Sequence, residues 1–224
     1  MLPEKDKAEL RRHILIFLSE KKFEGCGGLK ITDEIRLTIA AQACILLLHR
    51  RTDYYPGLLS ILVYPNAFLA RREEHLPSGV VVEGLQPLEG QSQRRGPVVL
   101  SWEDVQRSRV GAGDGHNVVF HEFAHQIDSA AGSGDSSEVL RNRSSFLEWA
   151  KVLEKDFRKL QRQVSGNRQT LLDSYGATDE AEFFAVATEV FFERPAELQK
   201  QHPELYNELK NFYQQDPAGL VHRN

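Results

Sequence analysis

Residues 118–128, Val-Val-Phe-His-Glu-Phe-Ala-His-Gln-Ile-Asp, limit the folds open to this chain more than any other stretch. They contain no Gly or Pro, and Val118, Val119, Phe123, Ala124 and Ile127 supply the apolar positions of a helix with one face in the core. His121 and His125 are four residues apart, so on a helix they stand one above the other and offer two imidazole nitrogens to one metal ion. Glu122 points about 100° away. That offset keeps it out of the ligand set and lets it serve as general base toward a metal-held water. A solvated helix would not carry Val-Val-Phe before the motif and Phe-Ala within it, and burying two histidines requires polar partners for both rings. The segment therefore predicts a zinc site.

Two histidines do not complete a catalytic zinc site, which takes a third protein ligand and leaves one position for water. The extended motif His-Glu-x-x-His-x-x-Gly-x-x-His is excluded, because Asp128 and Ala131 stand where it needs Gly and His. The other solution takes a glutamate from a later helix. Glu180, Glu182 and Glu189 all lie on a predicted helix over 179–193 that also carries Phe183, Phe184, Val186, Val190, Phe191 and Phe192. Such a helix is buried over a broad face, and an acid there needs a cation or a donor. Glu182 and Glu189 share a face, so spacing leaves both open, while Glu180 has a simpler role beside the helix dipole.

At 224 residues the chain is long enough for one domain with two lobes around a cleft, an N-terminal lobe over about 1–116 and a helical lobe over about 117–224. A net charge of −4 and a pI near 6.1 speak against direct nucleic-acid binding, and the arginine pairs are scattered along the sequence. Cys26 and Cys44 are too few for a disulfide framework and lack metal-ligand spacing. The first residues are charged with both signs, and no apolar run reaches membrane-spanning length, so the expected location is the cytoplasm.

Along the chain, an amphipathic helix over 5–21 is followed by a glycine-rich loop at 23–28 and a strongly apolar helix from Thr32–Asp33 to about Arg50. Three strands at 60–64, 80–83 and 98–101 predict a small, partly antiparallel sheet, and Ser101 before Asp104 predicts a short helix after the third. The glycines at 111–115 lack the Gly-Lys-Ser/Thr of a phosphate loop and read as a flexible lead-in that contains His116. Residues 131–137 are small and polar and read as a cleft rim, and helices follow from 144 or 145 to 164, at 179–193 and at 203–215.

The segment 174–185, Ser-Tyr-Gly-Ala-Thr-Asp-Glu-Ala-Glu-Phe-Phe-Ala, is similar to the second motif of the Mlc titration factor A family. That family comprises zinc peptidases whose active site looks like that of the anthrax lethal factor catalytic domain. His-Glu-Phe-Ala-His-Gln-Ile-Asp matches the first motif of the family, and residues 24–28 and 98–102 look familial too. The resemblance implies an α+β fold, mainly helical and zincin-like, with a small mixed or antiparallel sheet. It implies His121, His125 and Glu182 as zinc ligands, Glu122 as the base and Tyr175 as the hydroxyl donor to the oxyanion. Val186 occupies the place where the thermolysin-like subgroup carries an orienting Asp, so the outer nitrogens of the histidines need another partner. Asp128, three residues from His125 and seven from His121, is the first candidate, and Glu189 is the second.

The implied activity is aminopeptidase-like hydrolysis of short peptides through a zinc-activated water. Strands 80–83 and 98–101 are candidate edges for holding an extended substrate. The alternative is a regulatory protein that binds and sequesters the repressor Mlc, which governs glucose phosphotransferase genes, with peptidase activity latent or secondary. A purely structural zinc would need a fourth ligand, for which spacing offers Asp128 or Glu189.

Overall fold

The computed structural model describes residues 2–50, 53–66, 68–75, 81–88, 90–92, 96–110, 113–132 and 143–221. Helix α1 (Glu4–Glu20) buries Phe17 and His13 and leads through Lys21 into strand β1 (Lys22–Gly25). Helix α2 (Asp33–Ile45) starts at Thr32, whose hydroxyl accepts from the Ile35 amide at 3.3 Å. It ends five residues before the expected Arg50. Leu47 and Leu48 bond back three residues in a tighter turn, and the His49 amide donates to Glu9 of α1 at 3.0 Å instead of continuing the helix. Leu46, Leu47 and Leu48 stay fully buried in that turn, so the apolar run outlasts the helix.

Strands β2 (Ser60–Tyr64), β3 (Phe68–His75), β4 (Val81–Leu88), β5 (Gly90–Ser92) and β6 (Val98–Ser101) follow. They form two sheets. One has the order β1-β2-β6-β5, with β1, β2 and β6 parallel and β5 antiparallel to β6. The other is the antiparallel pair of β3 and β4. The fold class is the expected α+β with a small mixed sheet, but three of its four strands, β1, β2 and β6, run parallel. Of the expected strand at 80–83, residues 81–83 belong instead to β4 and residue 80 lies outside the described residues, while β1, largely within a stretch read as a glycine-rich loop, takes a place beside β2. Strand β6 is paired on both sides, so it offers no free edge to a substrate, contrary to expectation. On that side the outermost strand is β5.

Helix α3 (Trp102–Val110) is capped by Ser101, whose hydroxyl accepts from the Asp104 amide at 3.2 Å, as expected. The motif helix α4 (Val118–Gly132) packs against α2, α3, β5, β6 and, most extensively, against a later helix, α6. Phe123 is fully buried, with its ring 4.8 Å from that of Tyr55 and 5.7 Å from that of Phe17. Helix α5 (Arg143–Ser165), a 3-10 turn (Ser174–Ala177), α6 (Glu180–Glu193), α7 (Pro195–Gln201), α8 (Pro203–Tyr213) and α9 (Pro217–Val221) complete the chain. Residues 183–191 of α6 are buried on every side, which explains the density of Phe and Val there. The greater part of the predicted cleft rim, 133–137, lies outside the described residues.

Candidate metal centre

Each side chain that could hold a metal ion is placed by a local feature of its own element. Asn117 caps α4, its side-chain oxygen accepting from the Phe120 amide at 3.0 Å, and the helix then carries His121 and His125 on one face. Asp179 caps α6, one of its oxygens accepting from the amides of Ala181 and Glu182, each at 2.9 Å. Glu182 therefore sits in the first turn of α6, held at a fixed angle to the centre.

The two helices bring three donor atoms together. His121 Nε2 lies 3.0 Å from Glu182 Oε2, His125 Nε2 lies 3.3 Å from that same oxygen, and the two Nε2 atoms are 3.2 Å apart. His121, His125 and Glu182 form the group of side chains, among the described residues, that could hold a metal ion. Glu180, also considered for the third place, is not in that group. Two nitrogens and one carboxylate oxygen suit a divalent cation of zinc's type.

His121 and Glu182 shift each other's proton affinity in opposite directions. Burial alone would lower the His121 pKa, but hydrogen bonds to Glu182 and Glu189 outweigh it and raise the ring to about 10. Burial would raise Glu182, yet its bonds to both histidines hold it down at about 2. A cation bound there would replace the His121 ring proton as the positive partner of Glu182.

Glu122 has a different environment. It is 1% exposed, its Oε2 is buried with no hydrogen-bond partner, and burial pushes its pKa up to about 7. A buried carboxylate with one orphaned oxygen, raised toward neutrality, can take up and release a proton. Tyr175 lies on the 3-10 turn, where Asp173 accepts from its amide at 2.7 Å. Gly176 beside it is buried against α6 and α5, and a Cβ there would come within 3.2 Å of Val186 and 3.3 Å of Leu160. That close approach sets the Tyr175 ring 6.0 Å from the His121 ring while leaving the residue 54% exposed. Burial and the Glu182 carboxylate push the phenol up to about 12, so it remains a donor.

The outer nitrogen of His121 is held by Glu189, with Nδ1 to Oε1 at 2.8 Å. The expected first candidate for such a bond, Asp128, is exposed on α4. Sequence reading missed the part played by Asn117, whose amide donates to Glu189 Oε2 at 2.6 Å. The cap signal of Asn three residues before Phe120 was there to be read. His116 is exposed, with Nε2 3.7 Å from Oδ2 of the half-buried Asp173.

The family model described as glucose-regulated metallo-peptidase M90 matches residues 1–214. Mlc titration factor A of Klebsiella pneumoniae is 32% identical over 210 residues, covering 93% of this chain and 78% of its own. Mlc titration factor A of Escherichia coli is 30% identical over 224 residues, covering 99% and 84%. A Synechocystis protein described as uncharacterized protein slr2042 is 41% identical over 218 residues, covering 96% and 79%. With the motifs on α4 and α6 converging on one centre, and the match running over nearly the whole length, the chain belongs to the glucose-regulated metallo-peptidase M90 family, alongside the Mlc titration factors A.

Proposed function

We propose that this chain is a zinc-dependent peptidase of aminopeptidase-like action, with His121, His125 and Glu182 holding the metal. The observation that carries this reading is the convergence of the three donor atoms beside a buried, unpartnered Glu122 carboxylate. A zinc ion bound there would supply Lewis-acid polarisation of the peptide carbonyl and make a water acidic enough to attack at neutral pH. Glu122 takes the proton from the attacking water and delivers it to the leaving amine. The Tyr175 hydroxyl, protonated at physiological pH and carried on a ring 6.0 Å from that of His121, donates to the developing oxyanion. The outermost strand β5, antiparallel to β6 and in contact with α4, offers an edge on the α4 side that can align an extended peptide.

Glu122→Ala tests the assignment. Zinc content stays at that of the wild type, and hydrolysis of aminoacyl and blocked-peptide fluorogenic substrates falls by at least about a hundredfold. Cleavage that survives in the variant contradicts the role of Glu122. Preference for free over blocked amino termini supports end-trimming.

A second reading is supported by the name of the relatives, Mlc titration factor A, which cover nearly all of this chain. In it the chain binds and sequesters an Mlc-like transcriptional repressor, and hydrolysis is latent or secondary. The same variant separates the two, since Glu122→Ala leaves repressor binding intact while removing cleavage.

A further inference from the structure

Helix α6 presents three carboxylates to α4 and the loop before it. Glu182, Glu189 and Glu193 are spaced by seven and four residues and so stack along one face. Glu182 meets the histidine Nε2 atoms. Glu189, 5% exposed, uses both oxygens: Oε1 on His121 Nδ1 at 2.8 Å, and Oε2 on the Asn117 amide at 2.6 Å. Glu193 does the same one turn on, with Oε1 accepting from the Asn117 side-chain amide at 3.0 Å and Oε2 from the Gly113 amide at 2.9 Å. Gly113 meets that bond at φ +96°, a backbone region that disfavours other residues.

We propose that Glu189 is a positioning residue for the metal centre: one carboxylate, fixed by the Asn117 amide, keeps a proton on His121 Nδ1 and so presents the Nε2 lone pair to the cation. The inference rests on the metal-centre reading above and adds to it the residue that sets the tautomer of one ligand.

The chemistry of the two oxygens makes the idea sharp. A backbone amide can only donate, so one oxygen at position 189 is always committed to Asn117. A carboxylate still has a second acceptor for the ring N–H. Glutamine has the same shape but a single acceptor. In Glu189→Gln the amide oxygen goes to the Asn117 N–H and the NH2 group faces His121 Nδ1, which must then accept. The ring proton moves to Nε2, where it opposes a cation. Losing a partner of this kind costs about 10- to 100-fold in metal affinity. Glu193→Gln is the control, because Glu193 braces the same loop without touching His121.

The test is zinc affinity by chelator competition on the full chain, together with imidazole nitrogen NMR of the zinc-loaded wild type. The expected results are one zinc per wild-type chain with a proton on His121 Nδ1, affinity lowered about 10- to 100-fold in Glu189→Gln, and affinity within about twofold of wild type in Glu193→Gln despite a lower melting temperature. Wild-type affinity in Glu189→Gln, or an unprotonated Nδ1 in the zinc-loaded wild type, overturns the role of Glu189 and leaves the metal centre standing. No zinc on the wild type overturns both. The NMR result decides the matter even if a variant fails to fold.

Discussion

Glu122 and Glu182 lie in one site, yet their surroundings drive them in opposite directions. Glu122 is raised to about 7 by burial, and Glu182 is held at about 2 by two histidines despite burial. His121, bonded to two carboxylates, rises to about 10. These shifts predict how the metal-free protein responds to pH. Glu182, lowered from 4.5, contributes stability above that value and loses it as pH falls toward 2. His121, raised from 6.5, contributes fully below 6.5 and loses its contribution as pH climbs through 10. Calorimetry of the chelated protein should show a decline in melting temperature from pH 6.5 to 10 that is steeper than in a His121→Ala variant; parallel profiles would contradict the mutual shifts of His121 and Glu182. Much of this site was legible from spacing. His121, His125 and Glu122 followed from helix geometry, and the family resemblance chose Glu182. The bond between Glu189 and His121 was not legible, because Glu182 and Glu189 share a face and only the way α6 lies along α4 decides which carboxylate meets which ring nitrogen.

The elements that matter most are α4, α6 and the 3-10 turn, each ended or begun by a specific side chain. Asp179 caps α6 directly before Glu182. Asp179→Ala is therefore predicted to cost about 1 kcal/mol of stability and also to weaken zinc binding, since fraying of the first turn displaces Glu182. Chemical denaturation and chelator competition on the same samples check this. A stability loss with unchanged zinc affinity would mean that Glu182 does not depend on its cap. Helix α6 was readable because its start signal and apolar density agree. Strand β1 was not, because the glycines at 25, 27 and 28 dominate the local composition while the pairing that makes it a strand comes from β2, far along the chain. Helix α2 was read too long because Leu46–Leu48 remain apolar for the core after the helix has ended, and the residue that meets the His49 amide, Glu9, lies on another helix.

For the molecule as a whole, α4 packs against both the N-terminal sheet and α6, and a metal at His121, His125 and Glu182 would tie α4 to α6. No helix among the described residues is long and apolar enough to cross a membrane. The parallel order β1-β2-β6 could not be read from the strands themselves, since alternation along a strand fixes its buried face but says nothing about its neighbours. The measurement that tests the central claim most directly is zinc stoichiometry and affinity in the wild type beside His125→Ala and Glu182→Ala. The account predicts one zinc per wild-type chain and affinity lower by at least about a hundredfold in each variant, since a three-ligand site reduced to two loses much of its binding energy. Wild-type affinity in either variant would place the metal elsewhere and contradict the account.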